Sequence, residues 1–88
     1  MSTMHDFFVQ RLDTKIEHII QSQTITEISQ AAIIAREILY CASDSGSIVA
    51  REHFDYIRKI NDLAQIRIND IFKQVLPENN HKDKKESA

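Results

Sequence analysis

The chain carries one glycine, one proline, one cysteine and no tryptophan among 88 residues. A single glycine leaves no material for a phosphate-cradling Gly-rich loop or a nucleophile elbow. The scarcity of glycine and proline argues against a β-sandwich, which needs many tight turns, and favours a few helices with short connections. One cysteine excludes an internal disulfide. Cys41 reads as a small core hydrophobe in a reduced, cytoplasmic protein. The longest apolar run, Ala31 to Ala35, falls far short of the roughly 20 residues of a membrane span. Asp6 comes early and no basic segment precedes it, so no signal peptide is expected. The net charge is −2, with both signs interspersed. No basic stripe for nucleic acid and no polybasic membrane contact follows from that balance.

What the chain does have is helical periodicity. From Ser47 to Leu76 there is neither Gly nor Pro, and Pro77 ends the run. With Ile57 as origin, Ile60, Ala64, Ile68, Ile71 and Val75 fall within about 60° on a helical wheel, flanked by Phe54 and Phe72. Asp55, Lys59, Asp62, Asn69, Asp70 and Lys73 take the opposite face. Asp55 and Lys59 form an acid-before-base pair at i,i+4, which adds a few tenths of a kcal/mol. Two further helices precede this one. Thr3 with Asp6 resembles a capping box for a helix over 4–21, whose apolar face is Val9, Leu12, Ile16, Ile19 and Ile20, with Phe8 beside it. Phe7 sits off that stripe. Thr24 and Glu27 make a better capping box for a helix over 25–43. Its main face is Ile28, Ala31, Ala32, Ala35, Leu39 and Ala42, with Ile25 and Ile38 at the edges. Four alanines on that face allow close approach of another helix. Gly46 is placed to stop the second helix at positive φ, and Ser47 to cap the third. The expected fold is therefore all-α: helices at about 4–21, 25–43 and 48–76 in an antiparallel bundle dominated by the second and third. Residues 1–76 form one domain, and 77–88 read as a disordered polar tail.

No constellation for catalysis or metal binding emerges. His5, His18, His53 and His81 include no i,i+4 pair and no His-Glu-x-x-His. His5 lies on the apolar side of the first helix, where a partly buried, hydrogen-bonded histidine is the ordinary reading. Ser43, Ser45 and Ser47 sit in a loop with no base placed by the local sequence. Asp55 and Asp62 share a face but read as solvated charges, because a working acid–base pair needs burial that splits its pKa values. A helix-turn-helix around Gly46 fails on pattern: the residue after the glycine is Ser47, and Glu52 takes a position that should be apolar. The expectation is a non-enzymatic protein with no cofactor, no metal, no small-molecule substrate and no nucleic-acid or membrane partner.

The second helix carries more apolar surface than a hairpin can cover. Ile33 and Tyr40, at i,i+7, lie on one side of its main face, and Ile34 and Cys41 on the other. A helix apolar nearly all round is normally buried on more than one side. On the third helix, Tyr56 and Leu63 make a shoulder beside the main stripe, and Ile66 points to the polar face. Ile33, Ile34, Tyr40, Cys41, Tyr56, Leu63 and Ile66 are therefore the candidate partner-binding residues, for a hetero- or homodimer. The competing reading is that they are core, because wheel boundaries are imprecise.

Two resemblances bear on this. A helix beginning near Arg11-Leu12-Asp13, an alanine-rich helix ending before Gly46, and a final helix opening Glu52-His53-Phe54-Asp55-Tyr56-Ile57 with Leu63-Ala64 and Ile71 resemble the small co-chaperones of the type III secretion needle subunit (the YscE/PscE/SsaE type) over about residues 10–75. The chain departs from that pattern in a longer N-terminus, a longer loop between Ser43 and Ala50 and an added polar tail. The resemblance implies a bacterial cytoplasmic protein that pairs with a larger repeat-type chaperone through its final helices and keeps the needle subunit from polymerising early. His53-x-x-Tyr56-Ile57, Ala64-Gln65 and Leu76-Pro77 also resemble the final helix of TraM-type antiactivators. These are dimeric helical regulators that sequester a quorum-sensing transcription factor.

Overall fold

Thr24 shows how local chemistry sets the helix boundaries. Its Oγ1 accepts from the Glu27 backbone N–H at 3.1 Å, and the Glu27 carboxylate accepts from the Thr24 and Gln23 N–H groups at 3.2 and 2.8 Å. Donors that a helix start leaves unpaired are satisfied there by side chains. In the computed structural model, which describes residues 3–75, this box opens α2, Ile25–Asp44. It follows α1, Met4–Gln21, and precedes α3, Ala50–Val75. The first helix has only half of the expected box. Thr3 Oγ1 accepts from Asp6 N–H at 3.1 Å, while the Asp6 carboxylate lies against His5 instead. The three-helix, all-α expectation holds. The side chain of Val75, Leu76 and the expected polar tail lie outside the described residues.

The α2–α3 connection departs from expectation. Gly46 does take positive φ, 77°. But Ser47 does not cap α3. The Ser47 and Ile48 N–H groups both turn back to the Ala42 carbonyl, at 2.9 and 3.3 Å, and α3 begins only at Ala50. The reason is Ile48, which is buried in the core although it belongs to no helix. Starting the helix earlier would trade that burial, worth roughly 1.5–3 kcal/mol, for one more turn. Glu52 closes the start of α3 by accepting from the Val49 N–H at 3.3 Å.

All six residues expected on the main face of α2 are buried: Ile28, Ala31, Ala32, Ala35, Leu39 and Ala42. Leu12, Ile16 and Ile19 meet them from α1, and Ile60 and Ala64 from α3. The expected dominance of the α2–α3 pair is not found. The α1–α2 contact is at least as extensive, so α2 is the central helix and α1 and α3 touch each other less. The stripe of α3 is correspondingly thin. Ile57, Ile68 and Ile71 are half-buried against the core, and Phe54 and Phe72 face outwards.

Four contacts between residues far apart in the chain fix how the helices align. Arg36 Nη1 donates to Asn61 Oδ1 at 3.0 Å, and Ser43 Oγ and His53 Nδ1 lie 2.6 Å apart. These set α2 and α3 antiparallel, with Arg36 level with Asn61 and Ser43 level with His53. Arg67 Nη2 donates to the Ser22 carbonyl, the end of α1, and its Nη1 approaches Asp70 at 3.7 Å. At the other end His5 Nε2 lies 2.7 Å from Glu52 Oε2. α1 and α3 therefore run parallel, each antiparallel to α2.

Candidate functional site

Geometry sorts the seven candidate residues into three groups. Tyr56 and Leu63, the expected shoulder of α3, are half-buried against the core. Tyr56 donates to Asp13 Oδ1 of α1 at 3.4 Å. Burial first, and then the Asp13 charge, holds the phenol pKa above its ordinary value. That side of α3 is where α1 packs, so these two residues serve the chain's own fold. Ile66 is exposed on the far side of α3. Ile34 and Cys41 are exposed on the α1 side of α2. Cys41 is thus not the core hydrophobe expected. Lys15 and His18 of α1, with Ser22 just after it, lie beside Ile34 in a shallow depression.

Ile33 and Tyr40 form the third group, and α3 brings them company that the wheel did not assign. Both point to the side of α2 next to α3, and they are 49% and 51% exposed. Between the helices runs a groove of about 450 Å³. Ser29, Ile33 and Arg36 line it from α2, and Asn61, Gln65 and Ile68 from α3, with Ala32 and Ala64 at its base. At one end the Tyr40 ring stands 5.3 Å from His53, which meets Phe54 edge-on at 5.8 Å. Phe54 is 65% exposed. Phe72 shares its helix face five helical turns further on, and is also exposed. The result is a face spanning α2 and α3 on which Ile33, Tyr40, Phe54 and Phe72 are exposed around a groove of mixed polar and apolar lining, with the Arg36–Asn61 hydrogen bond across its middle. Phe54 and Phe72 were legible as flanking residues of the stripe. What was missing from the sequence was the width of the neighbour that leaves them uncovered.

In comparisons with known proteins, no family model, curated protein or solved structure matches this chain. The functional reading therefore rests on the chain's own surface.

Two polar pairs need a chemical account. Ser43 and His53 touch, an arrangement that ten residues of separation hid from sequence reading. A serine activated by histidine also needs a group that orients the ring and donors for the developing oxyanion. Among the described residues no carboxylate hydrogen-bonds His53, whose ring is packed by Tyr40 and Phe54. The pair clasps the end of α2 to the start of α3. Likewise, among the described residues no group of three or more His, Cys, Asp or Glu side chains comes together around a metal-sized space. No described helix is long and apolar enough to cross a membrane.

The second pair is pH-sensitive. The hydrogen bond to Glu52, and secondarily that to Asp6, raises the His5 pKa above its ordinary value near 6.5. The bond to His5, and then the Val49 N–H, lowers the Glu52 pKa below 4.5. A raised histidine stabilises the fold below its unfolded pKa and loses that contribution as pH rises through the folded value. A lowered glutamate contributes above its unfolded pKa and loses it as pH falls through the folded value. Both contributions are present together between about pH 4.5 and 6.5. Both groups are solvent-accessible, so the effect is local. Amide exchange at Phe7, Phe8 and Val9 is expected to be slowest, relative to the intrinsic rate, in that window. His5→Ala should flatten the dependence.

Proposed function

We propose that this chain is a non-enzymatic protein-binding adaptor whose working surface is the apolar α2–α3 face. The observation that carries the reading is the exposed set Tyr40 and Phe54, both packed on His53, on the same side as Ile33, which lines the groove. Exposed aromatic and aliphatic side chains gathered on one face, rather than scattered singly, mark association surfaces. The resemblance to needle-subunit co-chaperones supports a bacterial cytoplasmic setting and a partner in type III secretion. Under that reading the final helices lie against a larger chaperone and help hold the needle subunit unpolymerised. The TraM-type resemblance supports a second reading, a homodimeric antiactivator that sequesters a transcription factor. The outward-facing apolar surface of both final helices favours it equally.

The test is affinity capture from the source cell with the wild-type chain, Tyr40→Asp and Ile34→Asp, each checked for helix content. Both side chains are about half exposed, so both variants should fold. Loss of the captured protein with Tyr40→Asp alone supports the α2–α3 face. Loss with Ile34→Asp alone moves the site to the α1 side. Recovery of the same proteins by all three sinks the adaptor reading at either surface. A needle subunit or its chaperone among the specific captures supports the secretion role, and a transcription factor supports the antiactivator.

A further inference from the structure

The charges bordering the apolar face are sorted by helix. On α2, Glu37 lies one turn beyond Ile33, and Asp44 one turn beyond Tyr40, so both carboxylates edge the face. On α3, Arg51 and Arg58 stand one turn either side of Phe54. All four are exposed, and none of them forms an ion pair among the described residues. Asp55 and Asp62 lie further round α3, about 80–100° from Phe54. The α2 border is thus acidic, and the α3 border presents Arg51 and Arg58 nearest the face, with Asp62 and Asp55 behind them.

That pattern is self-complementary under one operation. A twofold axis parallel to the helices keeps every residue at its own height and lays α2 of one copy over α3 of the other. Heights follow from the contacts already described, Arg36 level with Asn61 and Ser43 with His53. Glu37 then comes within two residues of level with Arg58 of the second copy, about 3 Å along the axis. Asp44 comes within two residues of level with Arg51, offset in the same direction. The two pairs are satisfied by a single placement. Ile33 and Tyr40 of each copy meet the Phe54 and Ile68 side of the other. The four helices make an antiparallel four-helix arrangement, with each α1 on the outside. The face is about 30 Å long and roughly 20 Å wide, on the order of 600 Å². That approaches the roughly 800 Å² per partner of a standard interface. The polar tail after Pro77 offers no apolar side chain larger than Ala88 to fill the groove instead. A purely acidic or purely basic ligand would meet repulsion along one border.

The geometry points to a second copy of this chain as the occupant of the α2–α3 face, in a twofold dimer held at its borders by Glu37–Arg58 and Asp44–Arg51 pairs between copies. The inference rests on the reading of that face as the working surface, and it names what covers the face in the free protein.

Sedimentation equilibrium of the full chain across a micromolar concentration series tests it. The wild type should be dimeric at tens of micromolar, and Phe54→Asp monomeric with its helix content kept. Glu37→Arg and Arg58→Glu should each weaken the dimer about tenfold or more, and the double exchange should restore most of the loss. A monomeric wild type overturns the inference. So does a dimer indifferent to Phe54→Asp, or single charge reversals that the double exchange does not rescue. A monomer whose partner capture is still lost with Tyr40→Asp would overturn the second-copy inference and leave the adaptor reading standing. A monomer with capture unaffected would remove both.

Discussion

Leu39→Ala is expected to lower the unfolding free energy by about 2–5 kcal/mol. Leu39 is fully buried on the central helix, between Ala35 and Ala42, with α1 on one side and α3 on the other. Truncating its isobutyl group to a methyl forfeits the transfer free energy of the lost carbons and leaves a cavity that three helices can close only by shifting together. A domain of this size has roughly 4–11 kcal/mol of stability in all. The substitution therefore consumes a large fraction of it, and Tm should fall by roughly 10–30 °C. Urea unfolding followed by helix signal reads the change, with the slope on denaturant unaltered. Ile33→Ala supplies the contrast. It truncates a side chain of the same size on the same helix, yet measured at concentrations low enough to keep copies apart it should cost less than about 1 kcal/mol, because half of that side chain faces water in the single chain. Equal losses at the two positions would mean that α2 is buried on both sides, and that the α2–α3 face is not a free surface.

Ala35→Leu should destabilise by about 1–3 kcal/mol, from the opposite cause. Ala35 has no exposed surface, and Ala31, Ala32 and Ala42 share its buried face. Small side chains let the neighbouring helices come close, and three added carbons would have to push one of them away. α1 and α3 both lean on this stripe, so the displacement should be seen in methyl chemical shifts of Leu12, Ile16 and Ile60 together. Ala50→Leu, at the exposed start of α3, should change stability by no more than about 0.5 kcal/mol. A stabilised Ala35→Leu would reveal unfilled space along α2 and would weaken the case for close packing there.

The two substitutions bracket what periodicity can reveal. Every residue assigned to the main face of α2 is buried, because α2 is central and has a neighbour wherever its apolar stripe points. The same reading of α3 is only half met. Phe54 and Phe72 border the stripe on a wheel, but α3 has α2 on one side and α1 on the other, and neither reaches that far round. Tyr56 and Leu63 show the converse: an apparent excess of apolar surface is the seat of α1, with the Tyr56–Asp13 contact at its edge. A wheel orders residues by direction about one axis and carries no information on where other axes lie.

Local chemistry was legible for the same reason that long-range chemistry was not. Thr24 and Glu27 are three residues apart, and their mutual capping depends on nothing beyond them. Gly46 stops α2 because its own backbone adopts a conformation that side chains resist. The helix count and the boundaries of α1 and α2 follow from interactions of this short range. Ile48 escaped because its burial depends on packing into the core between helices and not on any helical phase. His5 with Glu52, Ser43 with His53, Arg36 with Asn61 and Arg67 with Ser22 join residues separated by ten to forty-seven positions. Only the packing of three axes brings them together. That packing also decides which apolar residues are left over. The sequence by itself determined that α2 and α3 have apolar surface to spare. The tertiary structure decided that Ile33 and Tyr40 share a side with Phe54 while Ile34, Cys41 and Ile66 point elsewhere, and that Glu37 and Asp44 lie nearly level with Arg58 and Arg51, because side-chain register between helices is set by contacts that no single helix contains.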